Sequence, residues 1–112
     1  RKEYWESNYN FVKEAILNAE IYVYTIKEKI VGFVGLDNNY IEGIFVDTNN
    51  QENGIGTALL NKVKESRDIL ELSVYKKNTN AISFYKKNGF VIESENIDND
   101  TKEIEYTMIW KK

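Results

Sequence analysis

The stretch YIEGIFVDTNNQENGIGTALL, residues 40–60, holds a β-branched and aromatic run, a polar loop, two glycines and the start of an apolar, helix-prone run. Tyr40 to Val46 reads as a strand, DTNNQEN as its exit loop, and the segment after Gly56 as a helix whose Leu59, Leu60, Val63 and Arg67 follow helical spacing. A strand, a glycine-containing loop and a helix start form an arrangement suited to phosphate. The first helical amides are unpaired donors, and glycine lets anionic oxygens approach the backbone. The same two glycines also serve for a plain turn. A GxGxxG dinucleotide fingerprint needs glycine or alanine where Leu59 stands, and Thr57 to Lys62 does not supply the GK[ST] of a P-loop.

Outward from this stretch, the upstream residues read as an amphipathic helix from Tyr4 to about Asn18, then strands IYVYTI (21–26) and VGFVGL (31–36) joined through KEKI. With Tyr40 to Val46 they make an antiparallel meander. Downstream, ILELSVY (69–75) is a buried strand, and a helix runs from about Thr79 to Asn88 with Gly89 as the left-handed residue beyond it. GFVIESE and EIEYTMIW supply two closing strands separated by IDNDT. The order αβββαβαββ, without repeat or linker, is one α/β (α+β) domain over residues 1–112.

Composition narrows the chemistry. There are 112 residues, 15 basic against 18 acidic, a formal charge of -3, and no cysteine or histidine. The acidic balance argues against a nucleic-acid partner, and no apolar run approaches the roughly 20 residues that span a bilayer. A cytoplasmic protein is expected. No Cys-rich zinc site or thiolate nucleophile can form, no metal is expected, and catalysis falls to carboxylates, tyrosines, amides and backbone groups. The chain begins at Arg1.

QENGIGTALL resembles the QxxGxG/A signature of the GNAT superfamily of acyl-coenzyme A dependent N-acetyltransferases, and it lies after a strand and before a helix as in that family. NTNAISFYKKNGF, residues 78–90, is similar to the family's second signature through Asn78, Ala81, Phe84, Tyr85, Gly89 and Phe90. KEKIVGFVGL also resembles a family hairpin, so the likeness covers about residues 20–110. It implies a mixed, mostly antiparallel central sheet flanked by helices. It further implies direct transfer of acetyl from acetyl-CoA, as cosubstrate, to the primary amine of a small molecule or peptide. Asn53 departs from the basic residue that many members carry before the first glycine. The family's usual first strand and helix have no counterpart before Arg1, which makes the strand at Ile21 to Ile26 an edge where a second copy could pair as a homodimer.

The resemblance assigns the pyrophosphate to the backbone of Gln51, Glu52, Asn53, Gly54, Ile55, Gly56 and Thr57, and the pantetheine to backbone groups near Phe45 and Val46. Tyr85 matches the general acid that protonates the departing thiolate and also touches the cofactor. Asn78 would bond the pantetheine amides or cap its own helix. Glu42 is the first candidate for the base that deprotonates the amine, ahead of Asp37 and Tyr40; a solvated strand glutamate is the plain alternative. Alternation sets Glu42 with Ile44 unless a bulge resets the register. Glu93 and Glu95 read as surface decoration. A non-catalytic acyl-CoA binding or sensing module would carry the same phosphate loop.

Overall fold

The computed structural model describes residues 20–50 and 54–112. The helix expected from Tyr4 to about Asn18, and Gln51, Glu52 and Asn53, lie outside the described residues. Two compact units divide between Leu59 and Leu60.

The first unit is the antiparallel meander β1 (Glu20–Ile26), β2 (Lys29–Asp37) and β3 (Tyr40–Val46), followed by a 3-10 turn, Thr48–Asn50, and the start of helix α1 (Ile55–Lys64). β1 and β2 are rich in β-branched and aromatic residues, which suit a pleated surface. Their connection is a two-residue turn in which Lys27 and Glu28 take φ of 50° and 66°. Both are left-handed, as the tight hairpin turn that matches strand twist requires. Val31, Val34, Leu36 and Ile41 form the core of this unit with Ile55 and Leu59.

Gly32 sets how closely the layers approach. A Cβ there would lie 3.0 Å from the Phe45 carbonyl oxygen, 3.1 Å from Ile55 Cγ2 and 3.3 Å from Leu59 Cδ1. The first turn of α1 therefore sits against β2 beside the C-terminal end of β3, with no room for a side chain between them.

The second unit holds the rest of α1, β4 (Ile69–Tyr75), helix α2 (Thr79–Lys87), β5 (Val91–Ile97) and β6 (Ile104–Lys111). β6 pairs antiparallel with β4 on one side and β5 on the other. Leu60, Val63, Leu70, Leu72, Val74, Phe90 and Met108 are buried. In β4 every second residue, Leu70, Leu72 and Val74, is buried, as period-two alternation demands of a strand with one covered face. In α1, Leu59, Leu60 and Val63 fall on one helical stripe, while Arg67 lies beyond the helix end. No helix among the described residues is long and apolar enough to cross a membrane.

Candidate functional site

In the first unit the pairing of β2 with β3 slips between Gly35 and Leu36. Leu36 faces Ile41 and Gly35 faces Gly43, so Glu42 is the extra residue of a β-bulge. Strict alternation therefore breaks at the one carboxylate of this strand, and a bulge is a device that re-aims a side chain. Glu42 is half-buried. β3 ends at Phe45 and Val46, where the Phe45 ring packs on Phe33 at 5.6 Å between centroids.

The chain then turns through Asp47. Its amide donates to the Val31 carbonyl at 2.8 Å, and its own carbonyl accepts from the Asn50 amide at 2.8 Å. Its carboxylate accepts from the Asn49 amide at 3.3 Å. Gly54 begins the approach to α1 with φ of 77°, and among the described residues a Cβ there would meet nothing within 4 Å beyond its chain neighbours. Conformation and not packing thus demands glycine. The first bond of α1 runs from the Ala58 amide to the Gly54 carbonyl at 3.0 Å, so the amides of Ile55, Gly56 and Thr57 precede any acceptor inside the helix. A left-handed glycine, open space beside its Cα and three leading helix amides fit an anionic group such as a pyrophosphate. Gly56 is buried, a constraint on the same turn that its spacing alone does not reveal.

In the second unit Asn78 is the N-cap of α2, its Oδ1 accepting from the Ala81 amide at 3.2 Å. Of its two readings, the cap is what the oxygen does here. Tyr85 lies two turns further along the same helix, roughly 10 Å by helical rise. Its ring meets Phe84 at 5.3 Å and Phe90 at 5.6 Å, both edge-on. Burial among these rings pushes the phenol from its ordinary 10.0 up to about 12, so it keeps its proton at any physiological pH.

The backbone around Tyr85 is closed by a turn with the hydrogen-bond pattern of a left-handed helix terminator. The Gly89 amide donates to Lys86 and the Phe90 amide to Tyr85, each at 3.0 Å, and Gly89 takes φ of 92°. Asn88 donates its amide to the Tyr85 carbonyl at 3.0 Å and its Nδ2 to the Phe84 carbonyl at 2.9 Å. It is the one buried polar side chain among the described residues. Neither Asn88 nor Gly32 stood out in the sequence. The contacts that explain Gly32 are long-range, whereas the bonds that Asn88 donates reach back only three and four residues, to Tyr85 and Phe84.

A profile of the GNAT acetyltransferase domain matches residues 18–92. The chain is 32% identical over 112 residues to peptidyl-lysine N-acetyltransferase YiaC of Escherichia coli K12, covering 98% of this chain and 77% of that protein. It is also 32% identical over 92 residues to peptidyl-lysine N-acetyltransferase YjaB of Salmonella typhimurium LT2, covering 82% and 61%. Among solved structures it resembles a Bacillus anthracis str. Ames protein in complex with acetyl coenzyme A, provisionally named a streptothricin acetyltransferase, with TM-score 0.77 and 28% identity over 85% of this chain and 63% of that one. The chain thus spans less than two thirds of the length of two of these three proteins. The two signatures, the strand and helix order and these likenesses agree: the chain belongs to the GNAT family of acetyl-CoA-dependent N-acetyltransferases.

Proposed function

We propose that this protein moves an acetyl group from acetyl-CoA to the ε-amine of a lysine in a peptide or protein by direct attack. The lysine acceptor is favoured because both relatives at 32% identity are named for that substrate. Acetyl-CoA supplies the activated thioester; binding, orientation and proton handling fall to the protein. Gly54 and the amides of Ile55, Gly56 and Thr57 would receive the pyrophosphate, and the family signature assigns Gln51, Glu52 and Asn53 to the same group. The end of β3 at Phe45 and Val46 would run beside the pantetheine. Asn78, its oxygen committed to the cap, would offer its NH2 group to a pantetheine carbonyl.

The observation that carries the catalytic reading is the state of Tyr85, a protonated phenol held between two rings at the closed end of α2. The amine nitrogen bonds to the carbonyl carbon, the carbon–sulfur bond breaks with its electron pair on sulfur, and the sulfur takes a proton. From a phenol at about 12 to a thiolate whose conjugate acid lies near 8.5, a complete transfer is uphill by about 5 kcal/mol. Tyr85 therefore serves best by donating as the C–S bond opens while the proton shed by the attacking amine is delivered back to the phenolate, leaving no lasting charge on the half-buried ring. Glu42, placed on the bulge of β3, is the group we assign to take the first proton from the incoming ammonium, directly or through water.

The test is Tyr85→Phe, measured by thiol release from acetyl-CoA with a lysine peptide. A fall in kcat of about 100-fold with acetyl-CoA affinity unchanged supports the role, since a positioned proton donor contributes about that much. An unchanged kcat removes Tyr85 from the chemistry.

A further inference from the structure

The turn that closes α2 is gripped from outside the helix. Lys64, the last residue of α1, donates from Nζ to the Asn88 carbonyl at 2.6 Å. The same ammonium lies 5.2 Å from the centroid of the Trp110 ring on β6. Trp110 in turn stands against Gly89, where a Cβ would come within 3.1 Å of its Cδ1. Lys64 and Trp110 thus bracket residues 88 and 89. Among the described residues no carboxylate pairs with Lys64, unlike its neighbour Lys62, which meets Glu65 at 3.6 Å on the surface. Partial burial lowers the proton affinity of Lys64. The ammonium is held by the carbonyl at the helix C-terminus and by the ring face, both of which favour a cation.

The consequence reaches Tyr85 through two bonds. The amides of Asn88 and Phe90 both donate to the Tyr85 carbonyl, at 3.0 Å each. The Asn88 carbonyl shares its peptide plane with the Gly89 amide, which donates to Lys86, and this plane lies between the two that carry the donors to Tyr85, so holding it restrains both and the backbone from which the phenol projects. We propose that Lys64 is a positioning residue for Tyr85, holding the turn at residues 88–90 so that the phenol stands where the proton must be delivered. The proposal rests on Tyr85 being the proton donor.

Lys64→Met keeps an apolar stem of similar length against Trp110 and removes the donor, whereas Lys64→Arg keeps the cation and an N–H. Each is made with Tyr85 and with Phe at position 85, and thiol release, acetyl-CoA affinity and amide hydrogen exchange are measured. We expect Lys64→Met to lower kcat about tenfold, on the scale of a sub-ångström misplacement, with acetyl-CoA affinity within about twofold. The Phe90 amide should exchange about tenfold faster, Lys64→Arg should recover kcat to within about threefold, and Lys64→Met should cost nothing further once Tyr85 is Phe. Equal losses with and without Tyr85, or unchanged kcat or Phe90 exchange in Lys64→Met while Tyr85→Phe is impaired, overturn the proposal. Full activity in Tyr85→Phe alone instead overturns the proton-donor reading, and the positioning role with it. Should Lys64→Met not fold, Lys64→Gln, neutral and one atom shorter, carries the same test with the same expected direction.

Discussion

Replacing Gly54 with alanine separates the two roles that a glycine at a helix entry can have. With φ of 77° the residue is left-handed, and among the described residues an added Cβ would meet nothing within 4 Å beyond its chain neighbours, so the substitution strains the backbone and clashes with no described side chain. That strain is about 1 to 2 kcal/mol, which in a domain of this size lowers the melting temperature by roughly 5 to 10 °C. If Gly54 were only a turn, nothing else would change. If the backbone there receives a pyrophosphate, the methyl also stands in the path of its oxygens. The affinity for coenzyme A should then fall at least about tenfold, equivalent to about 1.4 kcal/mol. Calorimetric titration with coenzyme A, below the melting transition, reads the second effect, and thermal unfolding reads the first. S-acetylpantetheine, which lacks the pyrophosphate, is the control and should bind the variant as it binds the parent. A lower melting temperature with unchanged coenzyme A affinity would refute the assignment of this loop to the phosphates.

Gly89→Ala should be the costlier glycine substitution, because φ of 92° adds strain to a contact of 3.1 Å with Trp110; about 2 to 4 kcal/mol in urea unfolding is expected, against 1 to 2 for Gly54. Equal costs would mean that Trp110 moves aside freely. Tyr85 makes a prediction in pH. Because burial raises its phenol from 10.0 to about 12, the stability it contributes is fully present below pH 10 and is lost as pH rises towards 12. The parent should lose about 3 kcal/mol more than Tyr85→Phe across that window, and parallel unfolding curves would contradict the raised proton affinity of the phenol.

Much of the fold was legible because its signals are local. ILELSVY read as a buried strand, and the structure places a strand at Ile69–Tyr75 with alternate residues buried. Gly89 read as the left-handed terminator of α2 and is one, and of the two readings open for Asn78 the N-cap is the one its oxygen makes. What stayed hidden depends on partners far along the chain. Lys27 and Glu28 carry none of the Asn-Gly character that announces a tight hairpin turn, yet the pairing of β1 with β2 holds both left-handed. The bulge at Glu42 exists only as a mismatch with Gly35 and Leu36, so the strand's own letters could raise the question of its register but not answer it.

The candidate site divides in the same way. The motif positions Gly54, Gly56, Asn78 and Tyr85 were visible as letters. The grip of Lys64 on Asn88 joins residues 24 apart and leaves no trace in either segment. No spacing in this sequence marks the acceptor either.

The most direct measurement is mass spectrometry of lysine-containing peptides after incubation with acetyl-CoA and the protein. The account predicts acetyl-CoA-dependent acetylation on a lysine ε-amine, formed far more slowly by Tyr85→Phe. Tight acetyl-CoA binding with no acetylated amine, across peptides, polyamines and aminoglycosides, would contradict it and leave a module that binds the thioester without using it.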